Sequence, residues 1–205
     1  PQDGRPRVAH IPLIVGVDVL SRFVLSDFAR LPAVSSGPCR PSARDRDGIS
    51  LGEASVSLVM SRDPAAFQIP LGEYLGGAIA NDANHVSGPS RTGEGLVRAV
   101  NGALREAAIA PSAVDAINAH GTGTVYNDAM EAHAFNRCSV QDVPLASYKG
   151  YFGHTLGAAG MLESVIALHA LREGIHLRSE GARETDLPLR VLMEHQRAEG
   201  DLLLK

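Results

Sequence analysis

The alternation of strand-like and helix-like segments in this sequence predicts a layered α/β fold. Two glycine-rich stretches, residues 120–124 and 147–160, each follow a short apolar run and precede a run with helical periodicity. Strand, glycine-rich turn and helix in this order are typical of folds in which helices cover a sheet. A hydrophobic content of 44% with 20% charged residues over 205 positions is typical of a globular chain that buries a core. These proportions exclude an intrinsically disordered chain.

The first half of the sequence alternates between strand and helix signals. Residues 8–15 form a largely apolar run rich in β-branched side chains, which predicts a buried strand. Apolar residues at helical spacing predict a helix within 20–31, and residues 32–48 form a long irregular segment rich in Pro, Ser, Gly and Arg. A loop of this length is expected to be functional or tied down by its own side chains. Further strands are predicted at 54–60 and 69–75.

The second half carries the same signals in a more regular order. Apolar residues fall on one face of each predicted helix, and acidic residues stand in the first turns of the middle one, where the helix dipole favours them. The predicted helices are residues 94–108, 127–137 and 157–172. Short apolar runs between turns predict strands at residues 114–118, 143–147, 189–193 and 202–204.

Charge, hydropathy and cysteine content exclude several classes of function. A net charge of −4 gives no basic surface for a nucleic acid backbone. No segment reaches the roughly 18–20 uninterrupted apolar residues of a membrane-spanning helix. Cys39 and Cys138 form neither a CxxC pair nor a dense framework, so neither a zinc site nor a disulfide scaffold is predicted. The cytoplasm is the expected compartment, and no metal is expected.

The two glycine-rich stretches contain the best candidates for chemistry. His120 and His154 each stand between a predicted strand and a predicted helix, where α/β folds build their sites, so both rings are expected in one cavity. Neutral imidazoles can donate N–H bonds to an enolate or oxyanion that develops in a transition state. Lys149 lies five residues before His154, and Glu163 lies on an otherwise apolar helical face. A buried acid needs a partner, so we expect a Lys149–Glu163 pair beneath His154 that holds one ring in its tautomer.

Simpler interpretations exist for each of these residues. A single His-Gly pair is more often a turn than a catalytic group, and Glu163 could occupy a solvated helix position. The stretch HGTGT at 120–124 could cradle a phosphate. However, the chain lacks both GxGxxG and GxxxxGK[ST], so nucleotide binding has little support.

Three stretches together resemble a known enzyme family. They are HGTGT at 120–124 with Asn127, Asp128 and Glu131 after it, SYKGYFGHTLGAAG at 147–160, and CRPSARDRDGISLGEA at 39–54. In this order they resemble the later part of a β-ketoacyl-[acyl carrier protein] synthase. The resemblance implies a thiolase-like layered α-β-α-β-α fold.

The resemblance also implies a reaction and a role for each site residue. The reaction is a decarboxylative Claisen condensation, in which a malonyl thioester loses carbon dioxide and its carbanion attacks an acyl group held on a cysteine. By position, His120 and His154 match the histidines that bind the malonyl carbonyl and stabilise the enolate. Lys149 matches the motif lysine and Glu163 its acidic partner. No cofactor is implied, because phosphopantetheine of an acyl carrier protein carries the substrates.

Other motif residues match positions with supporting roles. Thr122 and Thr124 match residues that line the phosphopantetheine tunnel of the family. Asp128 and Glu131 match positions that look structural.

Some expected parts of the family fall outside the sequence. The resemblance places the nucleophilic cysteine before Pro1 and a Gly-Phe-Gly-Gly loop after Lys205, so neither Cys39 nor Cys138 is expected to be the nucleophile. The fold is therefore expected to be incomplete. Residues 1–76 would end the N-terminal ketosynthase half, and residues 77–205 would form a C-terminal half truncated before its last strand.

The resemblance leaves assembly and function partly open. An acyl carrier protein is the implied partner, and the protein is expected to form a homodimer or a heterodimer of ketosynthase and chain-length factor. The chain could instead be the non-catalytic chain-length factor of such a heterodimer. A thiolase-like enzyme that works without decarboxylation is a third reading, which the SYKGYFGH stretch at 147–154 favours less.

Overall fold

A three-stranded parallel sheet forms the centre of the chain. The structure, a computed structural model, describes residues 11–31, 33–82, 88 and 90–205. Its strands are β3 (Ala116–Asn118), β4 (Leu145–Ala146) and β7 (Leu203–Leu204). The sheet has the order β4–β3–β7, and Ile117 of the middle strand pairs with Leu145 on one side and Leu204 on the other. Because the strands are parallel, the segments that follow them begin at the same edge of the sheet.

Two helices cover one face of this sheet. They are α2 (Glu94–Glu106) and α3 (Val125–Arg137), which pack against each other. The apolar core between them and the sheet includes Val100 and Leu104 of α2, Phe135 of α3, and Ile117 and Leu145 of the strands. The apolar periodicity that predicts these helices therefore marks the faces that they bury.

A third long helix covers the opposite face. Helix α5 (Ala159–Arg172) follows a short 3₁₀ turn at Leu156–Ala158, and its buried positions are Ala159, Glu163 and Ala167. Ala167 packs in one cluster with Ala146 of β4, and the half-buried Leu203 of β7 packs against that cluster. On its other side α5 contacts the small sheet, which is the two-stranded sheet formed by Leu13–Asp18 and Ala54–Val59. The described chain is thus layered in the order small sheet, helix, central sheet, helix pair.

The first strand of the small sheet is more exposed than its apolar sequence predicts. Strand β1 (Leu13–Asp18) pairs antiparallel with β2 (Ala54–Val59), and α1 is Arg22–Arg30. Residues 8–15 were expected to be buried, but the exposed fraction of Leu13 is 62% and that of Val15 is 53%; residues 8–10 lie outside the described residues. The buried residue of β1 is Gly16, which lies against the backbone of the turn before α5. A continuous apolar run shows that a strand is suited to burial, whereas its exposure depends on what packs against it.

Two predicted strands are not formed as expected, and one short helix and one strand pair were not predicted. Residues 69–75 contain no strand, since Pro70 has no backbone N–H and Gly72 has no side chain. The run 189–193 is a bridge rather than a strand, in which Val191 lies parallel to Leu145 at the outer edge of β4. The unpredicted elements are the short helix α4 (Lys149–Phe152) and the antiparallel pair β5 (Ile175–His176) and β6 (Gln196–Arg197).

The sequence predicts no membrane-spanning helix. Within the described ranges, the chain has no helix that combines the length and the apolar character needed to cross a bilayer.

Candidate active site

Two imidazole rings meet at the edge of the central sheet where its strands end. His120 follows β3, and His154 stands between α4 and the turn before α5. Their ring centroids lie 5.0 Å apart with an interplanar angle of 80°. The expected proximity of the two rings is therefore confirmed, although the two residues lie 34 positions apart in the sequence.

Two acidic residues of α3 accept hydrogen bonds from the backbone of the loop that carries His120. The carboxylate of Glu131 accepts hydrogen bonds from the backbone N–H groups of His120, at 2.9 Å, and Gly121, at 2.6 Å. Asp128 accepts from Thr122 N at 2.9 Å and from Ser42 N at 2.8 Å. These acids satisfy backbone donors that would otherwise be buried without partners. The geometry shows the structural role that the resemblance implies for Asp128 and Glu131.

Gly121 is required at its position by both conformation and space. Its φ is +38°, in the region that side chains disfavour, and a Cβ there would lie 2.5 Å from Cβ of Ser147. The Ser147 hydroxyl donates to the Gly121 carbonyl at 2.8 Å. This close approach links the segments that follow β3 and β4.

The buried environment of Glu131 is expected to make the free energy of unfolding depend on pH. Burial, together with the neighbouring Asp128 charge, raises the pKa of Glu131 from 4.5 to about 7. In the unfolded chain the group ionises near 4.5, so the folded state holds the extra proton between these values. The stability that this proton provides is fully present below pH 4.5 and is lost as the pH rises through about 7.

The Glu131→Gln variant tests this assignment. Gln does not ionise, so the fall in unfolding free energy between pH 5 and pH 8 is expected to be smaller in the variant than in the unaltered protein. Urea unfolding at a series of pH values measures it, with Glu94→Gln, at an exposed helix position, as the control. An identical pH dependence in Glu131→Gln and the unaltered protein would contradict the assignment.

His154 is held by a neighbouring loop and by the turn that follows it. Its backbone N–H donates to Ser50 O at 2.7 Å, and its carbonyl accepts from Gly52 N at 3.1 Å. Its ring Nδ1 accepts a hydrogen bond from Leu156 N at 3.2 Å. A neutral imidazole whose Nδ1 accepts carries its proton on Nε2, so this bond fixes the tautomer and leaves Nε2–H as the available donor.

The predicted ion pair between Lys149 and Glu163 is present and fully buried. Lys149 Nζ lies 2.6 Å from Glu163 Oε1, and both side chains are 0% exposed. The expected closeness and burial of the pair are confirmed. Burial lowers the pKa of Lys149, and the Glu163 carboxylate opposes that shift. The solvated alternative for Glu163 is excluded by its burial.

The pair supports His120 rather than His154, which corrects the sequence analysis. Lys149 Nζ donates to the His120 carbonyl at 2.5 Å and lies 3.4 Å from its ring Nδ1. The reason is the sheet: Lys149 follows β4, the direct neighbour of β3, so its side chain reaches the residue that follows β3. Because an ammonium only donates, His120 Nδ1 is the acceptor and Nε2 carries the proton.

Both rings are electrostatically biased toward their neutral forms. The residue His120 is exposed at one side, yet the protein that surrounds its ring and the Lys149 charge hold its pKa far below 6.5. Burial and the same Lys149 charge lower the pKa of His154 to about 4. Two neutral rings that each present an Nε2–H can stabilise one developing oxyanion.

Thr122 and Thr124 lie beside His120, and their hydroxyls already have local partners. The two hydroxyl oxygens are 2.9 Å apart. Thr124 also caps helix α3, because its hydroxyl accepts from Asn127 N at 3.3 Å. Their role in lining a phosphopantetheine tunnel stays a prediction.

The two cysteines have the surroundings of structural residues. Both are buried, and burial raises the pKa of each thiol. Cys39 Sγ donates to the Lys149 carbonyl at 3.0 Å. A nucleophilic cysteine needs a lowered pKa and access, so neither thiol suits that role.

The described part of the long segment, residues 33–48, is tied down by its own side chains, as expected for a loop of its length. The side chain of Arg46 is 3% exposed and donates to Asp186 Oδ1 at 2.5 Å, with its Nε 4.0 Å from Asp128. Asp47 accepts from the hydroxyls of Ser35 and Ser36 at 2.6 and 2.8 Å. Through Asp128 this loop braces the backbone beside His120.

Lys205 also belongs to the charged cluster of Lys149 and Glu163, although the sequence analysis did not predict it. The ammonium of Lys205 is hydrogen-bonded to Glu163 Oε2, on the opposite oxygen from Lys149. The available signal was its place directly after the apolar run 202–204, since β7 ends beside β3. Among the described residues, the His, Cys, Asp and Glu side chains form no cluster of three that could hold a metal ion.

Comparisons with known proteins show which family the chain is similar to. The family described as "Beta-ketoacyl synthase, C-terminal domain" matches residues 71–180. The chain is 36% identical over 158 residues to "3-oxoacyl-[acyl-carrier-protein] synthase 2" of Mycobacterium leprae, covering 75% of the chain and 37% of that protein. The boundary expected between residues 76 and 77 stays a prediction.

Solved structures show a similar fold. The complex of a ketosynthase with its chain length factor from Xenorhabdus doucetiae has a TM-score of 0.82 at 36% identity, over 92% of this chain and 47% of that one. A beta-ketoacyl synthase from Burkholderia phymatum has a TM-score of 0.86 at 29% identity, over 94% of this chain and 49% of that one. The chain thus spans less than half the length of these relatives and has their thiolase-like α/β fold. Since the family match covers more than half of its residues, the chain belongs to the beta-ketoacyl synthase family.

Proposed function

We propose that the full-length protein is a condensing enzyme, a β-ketoacyl-[acyl carrier protein] synthase of fatty-acid or polyketide-type synthesis. The observation that carries the proposal is the pair of neutral imidazoles, His120 and His154, 5.0 Å apart with both Nε2–H groups available. Donors placed in advance around one point stabilise charge that appears only in the transition state.

The proposed reaction begins with an acyl group on a thiol of the enzyme. A malonyl thioester then loses carbon dioxide, and the electrons of the broken C–C bond form an enolate whose oxygen becomes negative. The enolate carbon attacks the acyl carbonyl, a new C–C bond forms, and the thiolate leaves. His120 and His154 would bind the malonyl carbonyl oxygen through their Nε2–H groups as the enolate forms.

The remaining site residues act on the two rings and on the substrate arm. Lys149 would keep His120 in its neutral tautomer and orient it through the ring and the carbonyl, and Glu163 would hold Lys149 in place. Thr122 and Thr124 would line the passage of the phosphopantetheine arm. The acyl group would be carried on a thiol other than Cys39 and Cys138, since both of these are buried.

An acyl carrier protein is the proposed partner, because the Mycobacterium leprae relative is named for that carrier. We propose that the enzyme is a homodimer or pairs with a chain length factor, as the Xenorhabdus doucetiae ketosynthase does. The cytoplasm is the proposed compartment, since two free, buried cysteines suit a reducing environment.

A non-catalytic chain-length factor is the second candidate, because that relative was solved together with such a subunit. The buried Lys149–Glu163 pair behind His120 favours the enzyme. Burying two charges is costly, and a subunit without chemistry has no need to orient an imidazole in this way.

The experiment that separates the two candidates uses the full-length protein with labelled substrates. We expect transfer of a radiolabelled acyl group to the enzyme and release of labelled carbon dioxide from malonyl-carrier protein. A thiol-alkylated sample serves as the control and should lose acyl transfer. A protein that does neither reaction alone, but restores condensation when mixed with an active partner subunit, would be the chain-length factor.

A further inference from the structure

Glu163 holds two ammonium groups, of which the function described above uses only one. Lys149 lies 2.6 Å from Oε1, and Lys205 is hydrogen-bonded to Oε2. The exposed side-chain fractions are 0% for Lys149 and Glu163 and 22% for Lys205. Two cations on one carboxylate leave one excess positive charge in a largely buried cluster.

The sheet places Lys205 at this position. Strand β7 runs parallel to β3, and Leu204 lies opposite Ile117. The next residue, Lys205, therefore lies level with Asn118, two residues before His120. Lys205 and Lys149 thus approach Glu163 from the two strands that flank β3, one on each side.

Other charged groups also surround the two rings. His120 faces Lys149, His154 and Lys205, and Glu131 binds its backbone N–H. His154 faces Lys149, Lys205, Glu163 and Asp18. The carboxylate of Asp18 accepts from Gly157 N at 2.9 Å and opposes the lysine charges at His154, whereas Glu163 is shared between the two lysines.

We propose that Lys205 is a positioning residue of the malonyl site: it clamps Glu163 together with Lys149 and supplies the excess positive charge that keeps His120 and His154 neutral. This role rests on the function proposed above. A protonated ring could no longer accept at Nδ1, so His154 would lose its bond from Leu156 N, and His120 would be repelled by Lys149. The positive charge would also attract the carboxylate of a malonyl thioester.

The test replaces Lys205 in the full-length protein with three side chains. Lys205→Met removes the charge and the hydrogen bond, Lys205→Gln removes the charge alone, and Lys205→Arg keeps both. Histidine-labelled NMR follows the protonation of His120 and His154 against pH, and labelled carbon dioxide release gives a pH profile of activity. Arg197→Met removes an exposed cation on β6 and serves as the control.

Removing a nearby positive charge makes a ring easier to protonate. We therefore expect both ring midpoints and the acidic limb of the activity profile to move upward by about one pH unit in Lys205→Met and Lys205→Gln. Lys205→Arg and Arg197→Met are expected to titrate like the unaltered protein. Glutamine can still hydrogen-bond to Glu163, so it keeps the comparison valid if the methionine variant does not fold.

Unchanged ring midpoints in Lys205→Gln would overturn the proposal, as would an equal shift in Lys205→Arg. The titration does not depend on turnover. If no variant and no unaltered protein released carbon dioxide, the proposed function would fail, while the ring midpoints would still decide the role of Lys205.

Discussion

Replacing His120 or His154 by Ala in the full-length protein is expected to lower malonyl decarboxylation and condensation about 10²–10³-fold, the scale of losing one preorganised donor. The rings are 5.0 Å apart, and each has its Nδ1 facing a donor, so each has one N–H to offer the enolate oxygen. Acylation of the enzyme should suffer less, since it precedes the enolate. Steady-state condensation, carbon dioxide release and single-turnover acylation measure the three effects.

The control for these variants is His169→Ala. His169 is an exposed histidine on α5, the helix that carries Glu163, so its replacement tests the loss of an imidazole without the loss of the site. We expect its rates to equal those of the unaltered protein. Full condensing activity in the His120→Ala, His154→Ala double variant would contradict the mechanism.

Breaking the buried ion pair is expected to have the largest effect on stability. Glu163→Gln leaves the ammonium of Lys149 buried without its counter-charge, and such a loss costs about 3–5 kcal/mol of unfolding free energy. Lys149→Met should cost less, because Lys205 still balances the Glu163 carboxylate. Urea unfolding of the full-length variants, followed by circular dichroism, gives the free energies.

An exposed ion pair of the same chain provides the matched comparison. Arg178 and Glu180 lie 2.8 Å apart with exposed side-chain fractions of 40% and 34%. Glu180→Gln is expected to cost at most about 1 kcal/mol, since water screens and solvates both groups. If Glu163→Gln cost no more than Glu180→Gln, the buried pair would not have the energetic weight assigned to it.

The sequence predicts the long helices and the central strands because their signals are local. Helix α3 begins one residue after Thr124, whose hydroxyl caps it, and α2 buries the apolar face that its periodicity marks. The exposure of β1 and the absence of a strand at 69–75 could not be predicted in the same way. Whether an apolar run is buried or paired depends on distant segments, which local periodicity does not contain.

In the candidate site, too, the features with local sequence signals were predicted and those that depend on distant segments were not. The two glycine-rich stretches, each after a strand, were sufficient to predict that His120 and His154 would meet, and the lone acid on an apolar face predicted the Lys149–Glu163 pair. Which ring the pair supports depends on strand order, and β4 next to β3 selects His120. Lys205 joins the cluster through the pairing of β7 with β3, 42 residues from Glu163, which no local pattern reveals.

The most direct test of the paired-histidine site is a crystal structure of the full-length protein with a malonyl-pantetheine analogue that cannot decarboxylate. We expect the carbonyl oxygen of the analogue to lie about 2.7–3.1 Å from Nε2 of both His120 and His154, the distance of a preorganised donor. Lys149 should retain its contacts with Glu163 and with the His120 carbonyl. An analogue bound with that oxygen on other donors, and with both rings beyond hydrogen-bonding distance, would contradict the account.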